Sequence, residues 1–410
     1  MKTIYILSIA FMGLCISCKS NKKEEMNNYE KGTFGYDVAF LKEKDKVRLL
    51  TDKAGRSQVL VSPGYQGKVF TSTASGLEGK SLGYIKYEVF DAAQPDEHMN
   101  GYGGENRLWL GPEGGQYSIY FAPGVEQIYD NWHTPSPIDT EAWEVLAGDQ
   151  QQVNMMKSME LLNYRGTRLK TDILRRIQLV EPSEIGRTLG VEIGATIESV
   201  GYQTENKLYN RNDFEWTPET GTLCIWMLDM YHPAPSAVTI IPFNSGDDTQ
   251  LGKIATTDYF GEIPGYRLKI NDGVLFLRTD GKMRNKLGMN ALRTKGIAAN
   301  YNADEKLLTI TTYSVVADGV YLNQEWNPER NPLIGDAMNA YNDGPLEDGS
   351  IMGPFLELES ASPAAFLKPG EQLTHRHDVY HFTGDESDLS LITEKLLGVS
   401  ITQIKHAFKE

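Results

Sequence analysis

Hydrophobic and polar residues alternate along most of this chain in short runs that Gly, Pro, Asn and Asp interrupt. Val, Ile, Thr, Tyr and Phe dominate the runs, a composition typical of strands with one buried face. We predict strands over residues 57–61, 68–71, 83–90, 107–110, 116–121, 158–162, 168–179, 191–202, 223–230, 237–241, 273–277, 306–313, 355–359 and 373–382.

Helical periodicity is scarce by comparison. Residues 182–187 fit one short helical turn. Near the end of the chain, Ser387 is placed to cap a helix in which Leu389, Ile392 and Leu396 share one face. Neither an internal repeat nor a flexible linker interrupts residues 31–410. We therefore predict an all-β fold, one large antiparallel β-sandwich domain over 31–410 with a short C-terminal helix.

The first 17 residues have the features of a bacterial lipoprotein signal peptide. Lys2 supplies a positive start, and the apolar run 4–14 is shorter than the roughly 20 residues that span a bilayer. We expect cleavage before Cys18 and acylation of that residue, which leaves residues 18–30 as a lipidated polar tether. This predicts a membrane-anchored lipoprotein, in the outer membrane, on either its periplasmic or its cell-surface side.

Net charge and cysteine content disfavour two classes of protein. The net charge is −15, and removal of the signal with Lys2 lowers it to −16, so nucleic-acid binding is disfavoured. Cys224 is the only thiol left beside the acylated cysteine, which excludes a disulfide framework. We expect a monomer without a cofactor.

Two carboxylates, Glu357 and Glu359, occupy alternate positions of an apolar segment. Side chains at i and i+2 of a strand point the same way, about 6.5 to 7 Å apart. Two like charges would then share one site, and one carboxylate would be held partly protonated. Such a pair suits proton transfer, and we assign both residues as catalytic. The alternative is that one of the two forms a structural ion pair.

A Gly-rich segment, residues 103–116, carries Glu105, Arg107 and Trp109 at alternate positions. On a strand these three side chains share a face. Arg and carboxylates bind sugar hydroxyls, and an aromatic ring accepts the apolar face of a sugar. We therefore predict that Arg107, Trp109 and Glu113 bind substrate. A cation–π pair between Arg107 and Trp109 that only packs the sandwich edge is the alternative.

Five further residues are candidates for substrate binding. Trp226, Asp229 and His232 lie at the end of a mid-chain strand, and Asn342 with Asp343 precedes the Glu pair. Asn342 and Asp343 also fit an ordinary turn, and His232 fits an ordinary loop position.

Segments 103–116, 339–345 and 353–382 resemble aldose 1-epimerases, also called galactose mutarotases, and their uncharacterised bacterial relatives. In that family a late strand carries the catalytic glutamate in a Leu-Glu-x-Gln or Leu-Glu-x-Glu context, and a Pro-Gly-Glu turn follows. Residues 356–359 and 369–371 match those two features. The resemblance implies a galactose mutarotase-like β-sandwich with a sugar cleft, Glu357 as the base, Arg107 in the sugar site, and a lipoprotein branch from Bacteroidetes-type bacteria.

One family motif is missing. The family's general-acid histidine lies in a His-x-Tyr-Phe-Asn motif, which this chain lacks. Asp229 and His232 are the candidates to replace it. Ring opening of a hemiacetal requires a base on the anomeric hydroxyl and an acid on the ring oxygen. The acid is therefore unassigned.

Three histidines, His375, His377 and His381, lie on one face of the last predicted strand. They superficially match a cupin metal motif, although the glutamate of that motif is absent. Related last strands also carry structural histidines, and we expect no metal.

Three functions follow from these features. The first is a membrane-anchored carbohydrate-handling protein with aldose 1-epimerase-like proton transfer on a sugar hemiacetal. The second is a glycan-binding lipoprotein without catalysis, and the third is a metal-dependent cupin-type protein. Carbohydrate and the lipid membrane are the expected partners.

Overall fold

A computed structural model describes residues 28–346 and 348–409. The predicted signal peptide 1–17, Cys18 and the tether up to residue 27 lie outside the described residues. Within the described ranges, the structure contains no helix that combines the length and the apolar character needed to cross a membrane.

Strands dominate the described part of the chain. In chain order they are β1 Arg48–Thr51, β2 Gln58–Ser62, β3 Lys68–Thr73, β4 Arg107–Gly111, β5 Glu144–Gly148, β6 Gln152–Leu162, β7 Arg168–Val180, β8 Glu198–Asn210, β9 Cys224–Tyr231, β10 Val238–Pro242, β11 Leu268–Asn271, β12 Val274–Arg278, β13 Asn285–Met289, β14 Ile297–Asn302, β15 Leu307–Tyr313, β16 Met338–Asn342, β17 Leu356–Ala361 and β18 Gln372–Thr383.

Helices are short and lie mostly near the two ends of the described chain. The α-helices are α1 Phe34–Lys44, α2 Pro182–Leu189, α3 Asp248–Leu251, α4 Glu386–Leu397 and α5 Ile401–His406. Single turns of 3-10 helix cover Tyr87–Asp91, Tyr129–Asn131 and Ser136–Ile138.

The strands form three antiparallel sheets. A ten-stranded sheet has the order β11-β12-β10-β14-β15-β18-β8-β7-β6-β5, and a five-stranded sheet has the order β13-β16-β17-β9-β4. Strands β1, β2 and β3 form the third. The inner faces of the two larger sheets bury a common core. This is the all-β sandwich with a C-terminal helical end that the strand pattern predicts, so the predicted fold class is confirmed.

Alternation within each strand explains which side faces the core. In β7 the buried positions are every second residue from Leu169 to Leu179, as the two-residue repeat of a strand requires. Arg175 is one of these buried positions, and its guanidinium donates to Asn206 Oδ1 at 2.8 Å and to the Gly67 carbonyl at 3.0 Å. The core therefore contains a charge that is held by amide and carbonyl oxygens.

The C-terminal helices α4 and α5 pack on the outer face of the ten-stranded sheet, the face turned away from the common core. Tyr380 and Phe382 of β18 lie on this side, and Leu389 and Ile392 of α4 pack into the same cluster. On the small sheet, Phe34 and Leu41 of α1 pack against β2 and β3.

Two predicted strands are wrong. Residues 83–90 form an isolated bridge at Gly83 and then the 3-10 turn. Residues 116–121 form bends and turns, although Tyr117, Tyr120 and Phe121 are buried. Burial of an irregular segment produces the same run of aromatic residues as a strand. Strand β8 also begins at Glu198, later than predicted, and continues to Asn210.

The helices differ from the prediction as well. Asp385 is the N-cap residue of α4, so Ser387 lies inside the helix and does not cap it. A second C-terminal helix, α5, follows, and Ser400 with Gln403 forms its capping box. The sequence pattern also missed α1. Its N-cap residue is Thr33, whose hydroxyl accepts a hydrogen bond from the Tyr36 amide.

Candidate functional site

The outer face of the five-stranded sheet carries the candidate site. Leu356, Leu358 and Ser360 of β17 point toward the other sheet, which places Glu357 and Glu359 on the opposite, outer face. Both carboxylates are nonetheless buried, at 7% and 1% exposure. Loops that cover this face therefore enclose the pair.

Each carboxylate has its own cation. Arg107 of β4 donates from Nη2 to Glu357 Oε1. Lys286 of β13 lies with its Nζ 3.0 Å from Glu359 Oε2, and the Trp226 indole donates to the same oxygen at 2.8 Å. Each cation thus offsets the charge of one glutamate, which reduces the repulsion between the two carboxylates. Glu359 Oε1 is a buried oxygen without a hydrogen-bond partner among the described residues.

Burial and the charges of neighbouring side chains shift the pKa values of this site in opposite directions. Burial raises the pKa of Glu357 above its ordinary value; Arg107 works against this rise, and Glu359 adds to it. Burial lowers the pKa of Lys286, but the carboxylates of Glu359, Glu113 and Glu357 together raise it above its ordinary value. Lys286 is therefore a permanent cation in this site.

Glu113 lies in the same cluster, on the loop that follows β4. Burial raises its pKa to about 7; the charge of Lys286 lowers it, Glu359 raises it, and a hydrogen bond to Trp326 lowers it. A carboxyl group with that pKa exchanges its proton near neutral pH. Burial also raises the pKa of Glu357, to about 8, so both carboxyl groups exchange a proton near neutral pH.

The aromatic residues of the site support its cations. Trp109 and Trp226 pack edge to face at 5.7 Å, the Arg107 guanidinium lies 5.1 Å from the Trp109 ring centre, and Lys286 Nζ lies 5.0 Å from the Trp226 ring. Trp109 is 5% exposed and Trp226 is 2% exposed. Because their ring faces are covered, these tryptophans hold the cations in place in this structure and offer no open platform.

Two residues that the sequence pattern predicted for substrate binding, Asp229 and His232, lie away from the glutamate pair. Asp229 faces the space between the sheets, where it accepts from Asn106 Nδ2 at 2.7 Å and lies 2.6 Å from His377 Nε2. His232 packs against the Tyr84 ring at 5.3 Å, and burial lowers its pKa. Neither residue reaches the glutamate pair.

Asn342 holds loops beside the site, whereas the charge of Asp343 acts on Glu357 itself and raises its pKa. Asn342 is buried; its side chain accepts from the Gly281 amide at 3.0 Å and donates to the Met283 carbonyl at 2.8 Å. Asp343 accepts from the Tyr341 hydroxyl at 2.8 Å and from the Gly353 amide at 2.6 Å. These bonds hold the loops and fix the Tyr341 ring.

Glu105 does not share the face of Arg107. It precedes β4, and its carboxylate lies 2.9 Å from His381 Nε2 and accepts from Ser72 Oγ at 2.8 Å. The alternation that the sequence suggested begins only at Arg107, where the strand itself begins.

The three histidines of β18 form a buried polar network between the two large sheets. His375 Nε2 and His377 Nδ1 lie 2.8 and 2.7 Å from Ser360 Oγ, and His381 Nδ1 lies 2.9 Å from Thr309 Oγ1. Over residues 28–346 and 348–409, the structure places no three His, Cys, Asp or Glu side chains in an arrangement that could hold a metal ion.

Sequence reasoning missed several residues of the site. Lys286 pairs across strands with Tyr341, which pairs in turn with Glu357. Tyr259 donates to Asp336 Oδ2 at 2.8 Å and accepts from Asn339 Nδ2 at 3.3 Å. The signal for Lys286 was its position two residues after Arg284, at the start of a segment that continues with the apolar Leu287 and Met289. Tyr259 lies in a segment without a periodic pattern.

Comparison with known proteins identifies a family and a fold. A model described as "Family of unknown function (DUF6786)" matches residues 32–408. No curated protein shows significant sequence similarity to the chain.

Solved structures share the architecture at low sequence identity. The Slr1438 protein from Synechocystis sp. PCC 6803 superposes with a TM-score of 0.51 at 13% identity, over 83% of this chain and 96% of that one. A putative aldose 1-epimerase from Escherichia coli K12 gives 0.48 at 12% identity, over 82% and 98%. The galactose 1-epimerase from Lactobacillus acidophilus NCFM gives 0.41 at 12% identity, over 82% and 94%.

Proposed function

The chain belongs to the DUF6786 family of unknown function, and we propose that it binds a sugar on the outer face of the five-stranded sheet and transfers protons on the sugar hemiacetal. The observation that carries this proposal is the pair Glu357 and Glu359, placed side by side and each held by its own cation. The sequence resemblance to aldose 1-epimerases supports Glu357 as the base.

The proposed reaction is an anomerisation with a balanced exchange of protons. Glu357 accepts the proton of the anomeric hydroxyl, and an acid donates a proton to the ring oxygen. The bond between C1 and the ring oxygen breaks, and the C1 carbonyl forms. Ring closure on the other face of the carbonyl returns both protons.

We assign the acid to Glu113. Its carboxyl lies in the same cluster, where Lys286 influences both Glu113 and Glu357. With pKa values of about 7 for Glu113 and about 8 for Glu357, both carboxyl groups carry a proton in part of the molecules at neutral pH, and Glu113 acts as the acid in those molecules in which Glu357 is ionised. Arg107 keeps Glu357 oriented through its charge-assisted hydrogen bond, and Glu359 with Lys286 sets the charge beside it.

A second candidate function is sugar binding without catalysis. The observation that favours it is that both carboxylates are already ion-paired. A site built in this way recognises hydroxyl groups without a free base.

The deciding experiment measures both properties on one panel of aldoses. Polarimetry follows the interconversion of anomers above the uncatalysed rate, and calorimetry measures binding. Catalysed interconversion supports the first function. Binding without catalysis supports the second, and absence of both excludes a carbohydrate function.

Export and lipid anchoring complete the proposal. We propose that residues 1–17 direct export and that acylated Cys18 anchors the protein to the outer membrane. The short apolar run and the Ser17-Cys18 sequence support this assignment.

A further inference from the structure

We propose that the sugar bound in this site carries a carboxylate, as a hexuronic acid does, and that Arg284 binds that carboxylate. This inference rests on the proposed sugar-binding function and specifies its substrate class. It concerns a residue at the edge of the site that the proposed reaction does not use.

Arg284 lies next to the glutamate pair through a continuous set of contacts. It precedes Lys286 by two residues, and its guanidinium lies 4.0 Å from the centre of the Phe260 ring. Phe260 packs edge to face against Tyr341 at 6.1 Å. Tyr341 is the cross-strand partner of Glu357, so Arg284 is two rings away from the proposed base.

Arg284 is a cation beside the site that forms no ion pair among the described residues. Arg107 and Lys286 are each neutralised by a glutamate, at Glu357 and Glu359. Among the described residues no carboxylate lies within 4.0 Å of the Arg284 guanidinium, and its buried Nε has no hydrogen-bond partner. A buried N–H group without a hydrogen-bond partner is unfavourable, and an anionic group on a ligand would supply the missing acceptor.

Glu113 is only a partial counterion for Arg284. Glu113 is the site carboxyl whose pKa Arg284 lowers, yet burial still holds that pKa at about 7. A group that is protonated in part at neutral pH compensates a guanidinium only in part. Arg284 therefore keeps positive charge that a ligand can neutralise, although the chain as a whole is acidic.

The surface beside Arg284 suits a sugar ring. Phe260 is 47% exposed and Tyr266 is 65% exposed. The Tyr266 hydroxyl lies 3.9 Å from Met283 Sδ, which places it beside the segment that carries Arg284 into β13. Exposed aromatic rings next to a cation provide an apolar face and a charge for one ligand.

A single guanidinium fits a carboxylate better than a phosphate. Two parallel N–H groups match the two oxygens of a planar carboxylate. A phosphate ester carries about −1.5 to −2 charges at neutral pH and three acceptor oxygens, which one arginine leaves incompletely neutralised. Charge balance at a single arginine therefore favours a hexuronic acid over a sugar phosphate.

The test is calorimetric binding to the full chain of D-glucuronate and D-galacturonate, of D-glucose and D-galactose, and of glucose 6-phosphate. We expect the wild type to bind a uronate at least about tenfold more tightly than the matching neutral hexose, since hydrogen bonds to charged groups are strong. Arg284→Gln should reduce that preference to about twofold or less. Arg284→Lys, which keeps the charge without the planar fork, should keep part of it.

The control is Arg187→Gln, a change at an exposed arginine of α2 whose side chain pairs with Glu184. It should leave the preference unchanged. Equal affinity of the wild type for uronates and neutral hexoses, or a preference that survives Arg284→Gln, overturns the inference and leaves the proposed function intact. Tighter binding of glucose 6-phosphate than of glucuronate overturns the carboxylate assignment. Failure to bind any of the five sugars overturns the proposed function together with the inference.

Discussion

Arg107 and Glu357, 250 residues apart in the sequence, form an ion pair across strand β9. Arg107 is level with Leu228, which is itself level with Glu359, so the guanidinium reaches diagonally to Glu357. Lys286 and Trp226 already occupy Oε2 of Glu359. This arrangement assigns one cation to each carboxylate and provides the basis for the following predictions.

Replacement of Glu357 tests its role as the base. Glu357→Gln should lower any anomerisation rate about a hundredfold to ten-thousandfold, because a general base contributes on that order. Sugar affinity by calorimetry should change only about twofold to threefold. Glu160→Gln, at an exposed glutamate of β6, is the control and should change neither quantity. An unchanged rate in Glu357→Gln assigns the base elsewhere.

The Arg107 and Glu357 pair should be strongly coupled in stability. Arg107→Ala leaves a buried carboxylate without its cation and should lower the free energy of unfolding by about 3 to 5 kcal/mol. The double variant with Glu357→Gln should lose less than the sum of the single changes, by about 0.5 to 3 kcal/mol. Urea unfolding measures all four proteins.

The exposed pair Arg376 and Glu205, with atoms 2.9 Å apart, is the matched control for that cycle. Its coupling should be about 0 to 1 kcal/mol, since solvent screens surface ion pairs. Equal coupling in both cycles would contradict the importance of burial at Arg107.

Glu113 should make the stability depend on pH. Burial raises its pKa in the folded chain from 4.5 to about 7. Between those two pH values the folded chain binds more protons at this residue than the unfolded chain does, so the free energy of unfolding falls as pH rises, and it levels off above about pH 7. Glu113→Gln should remove about 1 to 3 kcal/mol of this fall, as measured by urea unfolding at pH 5 and pH 8. Glu126→Gln, an exposed glutamate of the same loop, should keep the wild-type pH profile.

The histidine network should stabilise the fold without a bound metal. His377→Ala removes one hydrogen-bond partner each from Asp229 and Ser360, which are fully buried, and should lower the free energy of unfolding by about 2 to 5 kcal/mol. Elemental analysis of the purified wild type should give much less than one zinc, iron or manganese per chain, and a chelator should leave its melting temperature unchanged. One bound metal per chain that His377→Ala removes would support the cupin-type function, because a metal site adds folding free energy through its ligands.

Acylation should depend on Cys18, which lies outside the described residues. In an expressing bacterium, Cys18→Ala should give unprocessed precursor without palmitate label, because the acyl chains are attached to the cysteine that becomes the mature N-terminus. Cys15→Ala should be processed and labelled normally. The reverse pattern would assign the modification to Cys15.

Much of the local structure follows from the sequence alone. The two-residue repeat predicts β7, β9, β17 and β18, and it places Glu357 and Glu359 on one side of one strand, because alternate side chains of any strand share a face. The same rule places His375, His377 and His381 together. These predictions need no knowledge of the neighbouring strands.

The partners of those side chains were decided by the tertiary structure. Alternation specifies which residues share a face, but it does not specify which face meets the second sheet, so Asp229 and Glu105 lie between the sheets and Arg107 lies outside. Lys286 reaches Glu359 only because β13 and β16 extend the sheet beyond β17. Strand order and register are set by contacts between residues distant in the chain, and a pattern along one segment contains no record of them.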